Sequence, residues 1–307
     1  LADEIVEAGD KEWAKKVYIK AEDKVEDSGD LQILADSLCN DLGDKEWAKK
    51  VYIKLEDKAE DSGDLRNLAG SLCNDLGDKE WAKKVCIKAE DKAEDSGDLR
   101  NLAGSLCNDL GDKEWAKKVY IKAEDKAEDF RDFTSLASSI HEDLEDKEWA
   151  KKIYIKAESQ AEDCSDFTGL AYSVHENLED KEWVRKVLEK ADNKAEDSEE
   201  SDSYMNDIIE LGDSIFNNLG DKEWAKNTYM KAENKAETYG EFWCLGDSIF
   251  NKLGDKEWTE KVYKIAEESA EYSNEFEQLA ECVRDNLGNE KWAKLLEQKA
   301  KELEDDE

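Results

Sequence analysis

An Asp, a Lys, a Glu and a Trp stand side by side again and again in this chain. LGDKEWA occurs unchanged at Leu42–Ala48, Leu76–Ala82, Leu110–Ala116 and Leu219–Ala225. Close variants occupy Gly9–Ala14, Leu144–Ala150, Leu178–Val184, Leu253–Thr259 and Leu287–Ala293. Acids and a lysine this close together could exchange protons with a substrate. Such chemistry needs one defined pocket that perturbs its groups, not nine equivalent turns. Each residue also has a sufficient structural role. Leu ends an apolar stripe, Gly turns the chain, and Asp caps the next helix. Glu then pairs with the Lys one turn on, and Trp anchors the core. The cluster therefore reads as a joint, no residue is assigned a catalytic role, and the chain is not expected to be an enzyme.

A second column invites metal chemistry. Eight residues before each repeated Trp stand Ile5, Cys39, Cys73, Cys107, His141, His175, Phe216, Phe250 and Arg284. Equivalent positions of stacked helices lie about 10 Å apart. Zinc ligands must approach the ion to ~2–2.3 Å, and disulfides need Cα separations below ~7 Å. Neighbouring units cannot easily share either, so the column reads as adaptable filler at the edge of the core. No metal and no cofactor is assigned.

The joint is also a ruler. Trp13, Trp47, Trp81, Trp115, Trp149 and Trp183 follow one another at 34 residues. Trp224 comes after 41, and Trp258 and Trp292 at 34 again. Nine units of one period, with a seven-residue insertion before the seventh, mark a repeat array. Within a unit, Leu65, Leu68, Ala69, Leu72 and Leu76 recur at helical steps, and Gly77 suits the residue after a helix end. Asp78 caps a second helix whose apolar face is Trp81, Ala82, Val85, Cys86 and Ala89; Glu80 and Lys84 pair along it. That helix runs to Ser96-Gly97, and Asp98 is placed as the cap of the following unit. Neither helix can bury its stripe alone, so neighbouring units must stack and share a core.

Composition agrees with that logic. The 307 residues include 81 Asp and Glu against 45 Lys and Arg, for a net charge of -36, with no proline. Mean hydropathy is -0.90. Such a chain resembles a disordered one until its few apolar residues are seen to fall in register. Its charge opposes binding to nucleic acid and to anionic membranes, and suits a basic partner. Seven scattered cysteines form no disulfide framework, which points to a reducing, cytoplasmic compartment. No apolar run is long enough for a membrane span.

At this point the chain resembles the tetratricopeptide repeat (TPR) family and its Sel1-like relatives. The 34-residue unit matches. So does the small–aromatic–small pattern Ala14-Tyr18-Ala21, repeated at Ala116-Tyr120-Ala123, Ala150-Tyr154-Ala157 and Ala225-Tyr229-Ala232. Leu211-Gly212 and Leu245-Gly246 resemble the family's Leu-Gly pair. The family's closing proline is absent, its Trp opens the first helix rather than the second, and most first helices here are one residue longer. The resemblance implies an all-α, right-handed α-solenoid superhelix of about nine helix-turn-helix repeats that binds proteins or peptides. Two continuous segments are expected, 1–199 with units one to six and 200–307 with units seven to nine.

Four surfaces remain as candidates. The first helices carry a serine ladder, Ser37, Ser71, Ser105, Ser139, Ser173, Ser214 and Ser248, on the face opposite the core stripe. Three residues on stand Asn40, Asn74, Asn108, Glu142, Glu176, Asn217 and Asn251. By resemblance these helices line the inner groove, where Asn can hold an extended peptide backbone; a plain solvated face is the alternative. Arg66 and Arg100 lie nearby.

The recurring EDSGD loops place Glu26, Asp27 and Asp30, with their equivalents Glu60, Asp61 and Asp64, Glu94, Asp95 and Asp98, Glu128, Asp129 and Asp132, and Glu162, Asp163 and Asp166, along one edge. Acids at a helix end oppose its dipole, so the first pair of each set is not expected to serve helix stability. A solvated ridge with a weak basic partner is expected, not a cation site. A row of aliphatics, Ile19, Ile53, Ile87, Ile121, Ile155 and then Met230, lies off the core stripe. It is either an assembly surface or a row that superhelical packing covers, and the covered reading is preferred.

The acidic stretch Asp197–Ser203 reads as an enlarged loop. Leu1 falls within a first helix, so either further residues precede it or that end docks on another copy. The sequence thus predicts a scaffold for an extended or basic peptide. The alternative is a structural protein that assembles into filaments or arrays through its repeat ends or its Ile row.

Overall fold

A computed structural model describes residues 11–25, 27–197 and 204–306. The expectations that concern Ile5, Glu26, the Leu1 end and insertion residues 198–203 lie outside the described residues. Among the described residues there are seventeen helices and no strand. They are α1 (Lys11–Glu22), α2 (Ser28–Asn40), α3 (Lys45–Lys58), α4 (Ser62–Ser71, extended by a π turn at Leu72–Leu76), α5 (Lys79–Lys92) and α6 (Ser96–Asn108). Then come α7 (Lys113–Lys126), α8 (Phe130–Leu144), α9 (Lys147–Gln160), α10 (Cys164–Leu178), α11 (Lys181–Asp197) and α12 (Tyr204–Leu219). The last are α13 (Lys222–Glu233), α14 (Tyr239–Ser248, extended by a π turn at Ile249–Leu253), α15 (Lys256–Ser269), α16 (Ser273–Leu287) and α17 (Glu290–Asp306). Even-numbered helices are the first of each pair and odd-numbered helices the second. Two compact units divide the chain, Leu1–Lys156 and Ala157–Glu307.

Within each unit an even helix packs on the odd helix that follows it and on the even helix of the next pair. The chain is therefore an all-α solenoid. In α4 and α5 the buried side chains include Leu65, Leu68, Ala69, Val85 and Ala89, the stripes set by helical spacing. Burying each Leu fully contributes about 1.5–3 kcal/mol. Large side chains fill the remaining space: Tyr52, Tyr120, Tyr154, Tyr229 and Tyr263 are each fully buried.

The LGDKEWA stretch is the joint it was read to be. Gly43, Gly77 and Gly111 adopt φ of +74°, +71° and +70°, where a Cβ would crowd the backbone. Asp44, Asp78 and Asp112 then accept from the backbone N–H of Trp47, Trp81 and Trp115, each at 3.1 Å. The expected Glu80–Lys84 pair does not close within 4.0 Å; its equivalent Glu182–Lys186 does, at 2.8 Å. Two units place Glu at the left-handed position instead, Glu145 and Glu179, both with φ 57°. A left-handed non-glycine residue costs roughly 1–2 kcal/mol. Glu145→Gly should therefore raise stability by about 1 kcal/mol, read as a higher urea midpoint with an unchanged m-value.

Two expectations about the EDSGD loop are corrected. Asp95, not Asp98, is the N-cap: its carboxylate accepts from the Asp98 N–H at 2.8 Å. Asp98 in turn accepts from the Glu94 N–H at 3.0 Å, one residue before the cap. Asp27, Asp61, Asp129 and Asp163 cap α2, α4, α8 and α10 in the same way. These acids do serve helix stability, that of the next helix. The dipole end they would oppose is met by lysine: Lys92 donates to the Glu60 carbonyl at 2.7 Å and Lys126 to that of Ala93 at 3.0 Å.

Candidate partner-binding surface

Within each compact unit a seam is built from consecutive second helices. Trp47, Trp81, Trp115, Trp149, Trp183 and Trp258 are only half-buried, which corrects the reading of this residue as a core anchor. Each indole lies on the preceding second helix. Its Nε1–H donates to a glutamate there: Trp81 to Glu56 at 2.7 Å, Trp115 to Glu90 at 2.9 Å, Trp258 to Glu233 at 2.8 Å. The other oxygen of that Glu accepts from a lysine beside the Trp, Lys88 to Glu56 at 2.8 Å and Lys122 to Glu90 at 2.6 Å. A lysine of the preceding helix covers the ring, Lys49 over Trp81 at 5.8 Å. The same clamp recurs at Glu22, Glu124, Glu158 and Glu267. Burial raises the Glu22 carboxyl, but the bonds from Lys54 and Trp47 outweigh it and hold it below its ordinary value. Where Asp192 replaces the Glu, one methylene shorter, Lys231 bonds Asp192 and Glu196, both at 2.9 Å.

The opposite surface, formed by the first helices, is acidic. Five buried tyrosines carry their hydroxyls to its carboxylates. Tyr52 donates to Asp36 at 2.7 Å and to Asp75 of the next unit at 3.0 Å. Tyr18 reaches Asp41, Tyr120 reaches Asp143, Tyr229 reaches Asp213 and Tyr263 reaches Asp247. Burial, then the adjacent Asp36 carboxylate, pushes the Tyr52 phenol far above its ordinary value, so it stays a donor. Among the described residues no Lys or Arg pairs within 4.0 Å with the carboxylates of Asp36, Asp75, Asp109 or Asp143, although Lys45 donates to the backbone carbonyl of Asp75 at 2.5 Å. Lysines gather instead on the second helices. Lys79–Lys92 holds five lysines against three acids, whereas residues 93–112 hold five acids against one arginine.

The Ser/Asn ladder lies at the edge of this acidic surface. Ser37, Ser71, Ser105, Ser139, Ser173 and Ser248 are half-buried and Ser214 is buried, so the ladder follows the seams between first helices and is not a fully solvated face. Gln32 of one unit donates to Ser71 of the next at 2.6 Å. Ser173 bonds back to the Gly169 carbonyl at 3.0 Å, and Asn218 donates to Ser214 at 2.9 Å. Asn40, Asn74, Asn108, Asn217 and Asn251 are exposed. Asn74 and Asn108 reach Asp109 and Asp143 of the following unit, each at 3.4 Å. The Asp columns and the Glu clamps were not singled out from the sequence, although both recur with the period of the Trp.

Cys39, Cys73 and Cys107 are buried. Burial first, then the Asp143 carboxylate, raises the Cys107 thiol to about 11, so it is not a thiolate at neutral pH. Arg284 of the same column bonds Glu297. Among the described residues no three His, Cys, Asp or Glu side chains converge as a metal site would require. Ile19, Ile53, Ile87, Ile121 and Ile155 are 48–53 % exposed, and Met230 46 %. The covered reading of this row is thus corrected, because each side chain leaves the second helix on its solvent side.

No family model and no curated protein matches the chain. Among solved structures it is similar to a "circular tandem repeat protein with novel repeat topology and enhanced subunit contact surfaces", with 17% identity over 99% of this chain and 68% of that one and a TM-score of 0.22. A superposition that poor leaves the class to be read from the chain's own helices, and these define a tandem helical-repeat protein. No helix among the described residues is long and apolar enough to cross a membrane.

Proposed function

We propose that this chain is a non-catalytic scaffold that holds an extended, basic peptide segment along its first-helix surface. One observation carries the reading. Asp41, Asp75, Asp109 and Asp143 follow one another at 34 residues, with exposed Asn40, Asn74 and Asn108 beside the first three, and the hydrogen-bond partners of their carboxylates are neutral phenols and amides. A partner's lysines and arginines would meet carboxylates that form no salt bridge within the chain, and Asn40, Asn74 and Asn108 would hold its backbone. The test is deca-lysine titrated at two salt concentrations. Binding is expected to weaken with salt, and to fall about tenfold in the N40A/N74A/N108A variant, which keeps every charge. Equal affinity in that variant would remove the Asn ladder from the reading.

A second reading rests on the exposed Ile row, which suits self-association into filaments or arrays. Concentration-dependent growth of the purified chain in sedimentation, abolished by Ile53→Lys with Ile87→Lys, would support it. A monomer at every concentration would remove it.

A further inference from the structure

The acidic surface is not uniform. Between α10 and α12 it opens into a cavity of about 470 Å³. Its walls include Tyr172, His175, Glu176, Glu210, Asp213 and Asn217. Tyr172 is 59 % exposed, an unusual place for a large ring without a partner to cover it. Gly169 forms part of the floor, and a Cβ added there would meet nothing within 4 Å. Asn218 and Thr168, both buried, fix the rim: Asn218 donates to Ser214, and Thr168 donates to one oxygen of Glu210 at 2.9 Å. Asp213 accepts from Tyr229 and, at 3.4 Å, from Ser248.

The balance of charge identifies the occupant. Three carboxylates line the cavity and no Lys or Arg does. Their protein donors are hydroxyls, which leave the negative charge in place. His175 approaches Glu176 only at 4.0 Å, and its buried Nδ1 has no hydrogen-bond partner. An anion would face repulsion here. A cation with a flat, multi-donor head fits every wall. A guanidinium can stack on Tyr172 and fork onto Glu210 with Asp213 beside it. An ammonium offers neither the plane nor the fork.

We propose that this cavity is a pocket for a single arginine side chain of the partner segment. The inference rests on the basic-peptide reading for its biological setting, but its chemistry can be tested alone. The probe is N-acetyl-arginine amide, titrated into the full chain while backbone amide resonances are followed. The Gly169 and Asn217 amides should shift saturably. N-acetyl-lysine amide should bind at least about fivefold more weakly. Glu210→Gln, which keeps the acceptor for Thr168, should weaken the arginine probe about tenfold, and Tyr172→Ala several-fold. The N40A/N74A/N108A variant should bind it unchanged. Absence of saturable shifts at Gly169 and Asn217, or equal binding by the E210Q and Y172A chains, would overturn the pocket. Deca-lysine failing on every chain while the arginine probe binds here would remove the groove reading and leave the pocket standing.

Discussion

Trp81→Ala should cost about 3 kcal/mol, although Trp81 is only half-buried. A fully buried Trp truncated to Ala loses roughly 3–5 kcal/mol through lost burial and the cavity left behind. Trp81 buries less, but it also donates to Glu56 at 2.7 Å and lies under Lys49. Removing it leaves a carboxylate that is 16% exposed with one partner fewer. Urea unfolding monitored by helicity measures the loss. The seam should weaken between the unit of α3 and the unit of α5, so the transition should also broaden, because a solenoid is held together by nearest-neighbour terms. A loss below about 1 kcal/mol would mean that the ring merely rests on the surface.

Gly246→Ala should cost about 2 kcal/mol, against the ordinary preference for Ala in a helix. A Cβ built on Gly246 would stand 2.4 Å from Cε1 and 2.6 Å from Cδ1 of Tyr263. The ring cannot move aside, because Tyr263 is fully buried and its hydroxyl is held by Asp247 and, at 2.8 Å, by Asn286. Overpacking of this kind costs about 1–3 kcal/mol, more than the ~1 kcal/mol that Ala returns in propensity. Gly212 stands in the same relation to Tyr229. Gly169→Ala is the control: it meets open space and should stabilise by roughly 0.5–1 kcal/mol. Ala35 and Ala103 occupy the Gly246 position in earlier units and coexist with Tyr52 and Tyr120, so the ring sits farther from the helix there. Equal effects of G246A and G169A on the thermal midpoint would contradict this packing.

These two residues show which parts of the molecule were legible in the sequence. The period, the helix pairs and the joints were plain, because each is written locally. Gly77 and Asp78 act on their immediate neighbours, and Leu65, Leu68 and Leu72 mark a face without reference to any other helix. What was hidden is every relation between units. Trp81 finds Glu56 twenty-five residues upstream, and Asp95 closes one unit's loop by capping the next unit's helix. Spacing alone assigned Trp81 to its own core and Asp98 to the cap. The Ile row was misjudged for the same reason, since only the stacking angle decides whether a residue beside the stripe is covered. The candidate surface was half visible. The Asn ladder could be read off, whereas the Asp columns looked like ordinary surface charge until Tyr52 and Tyr120 were seen to reach them. The Glu clamp does carry a signal in the sequence, because Glu22, Glu56, Glu90 and Glu124 recur at the same 34-residue step as the Trp.

The central claim is that the repeated Trp joins one unit to the next and is not an anchor within its own unit. A double-mutant cycle on Trp81→Phe and Glu56→Ala tests it directly. The ring is largely kept, so the cycle isolates the indole N–H and the carboxylate. The account predicts a coupling of about 1–2 kcal/mol between these residues of successive second helices. Losses that add to within about 0.5 kcal/mol would show that the clamp holds nothing together, and would contradict the claim.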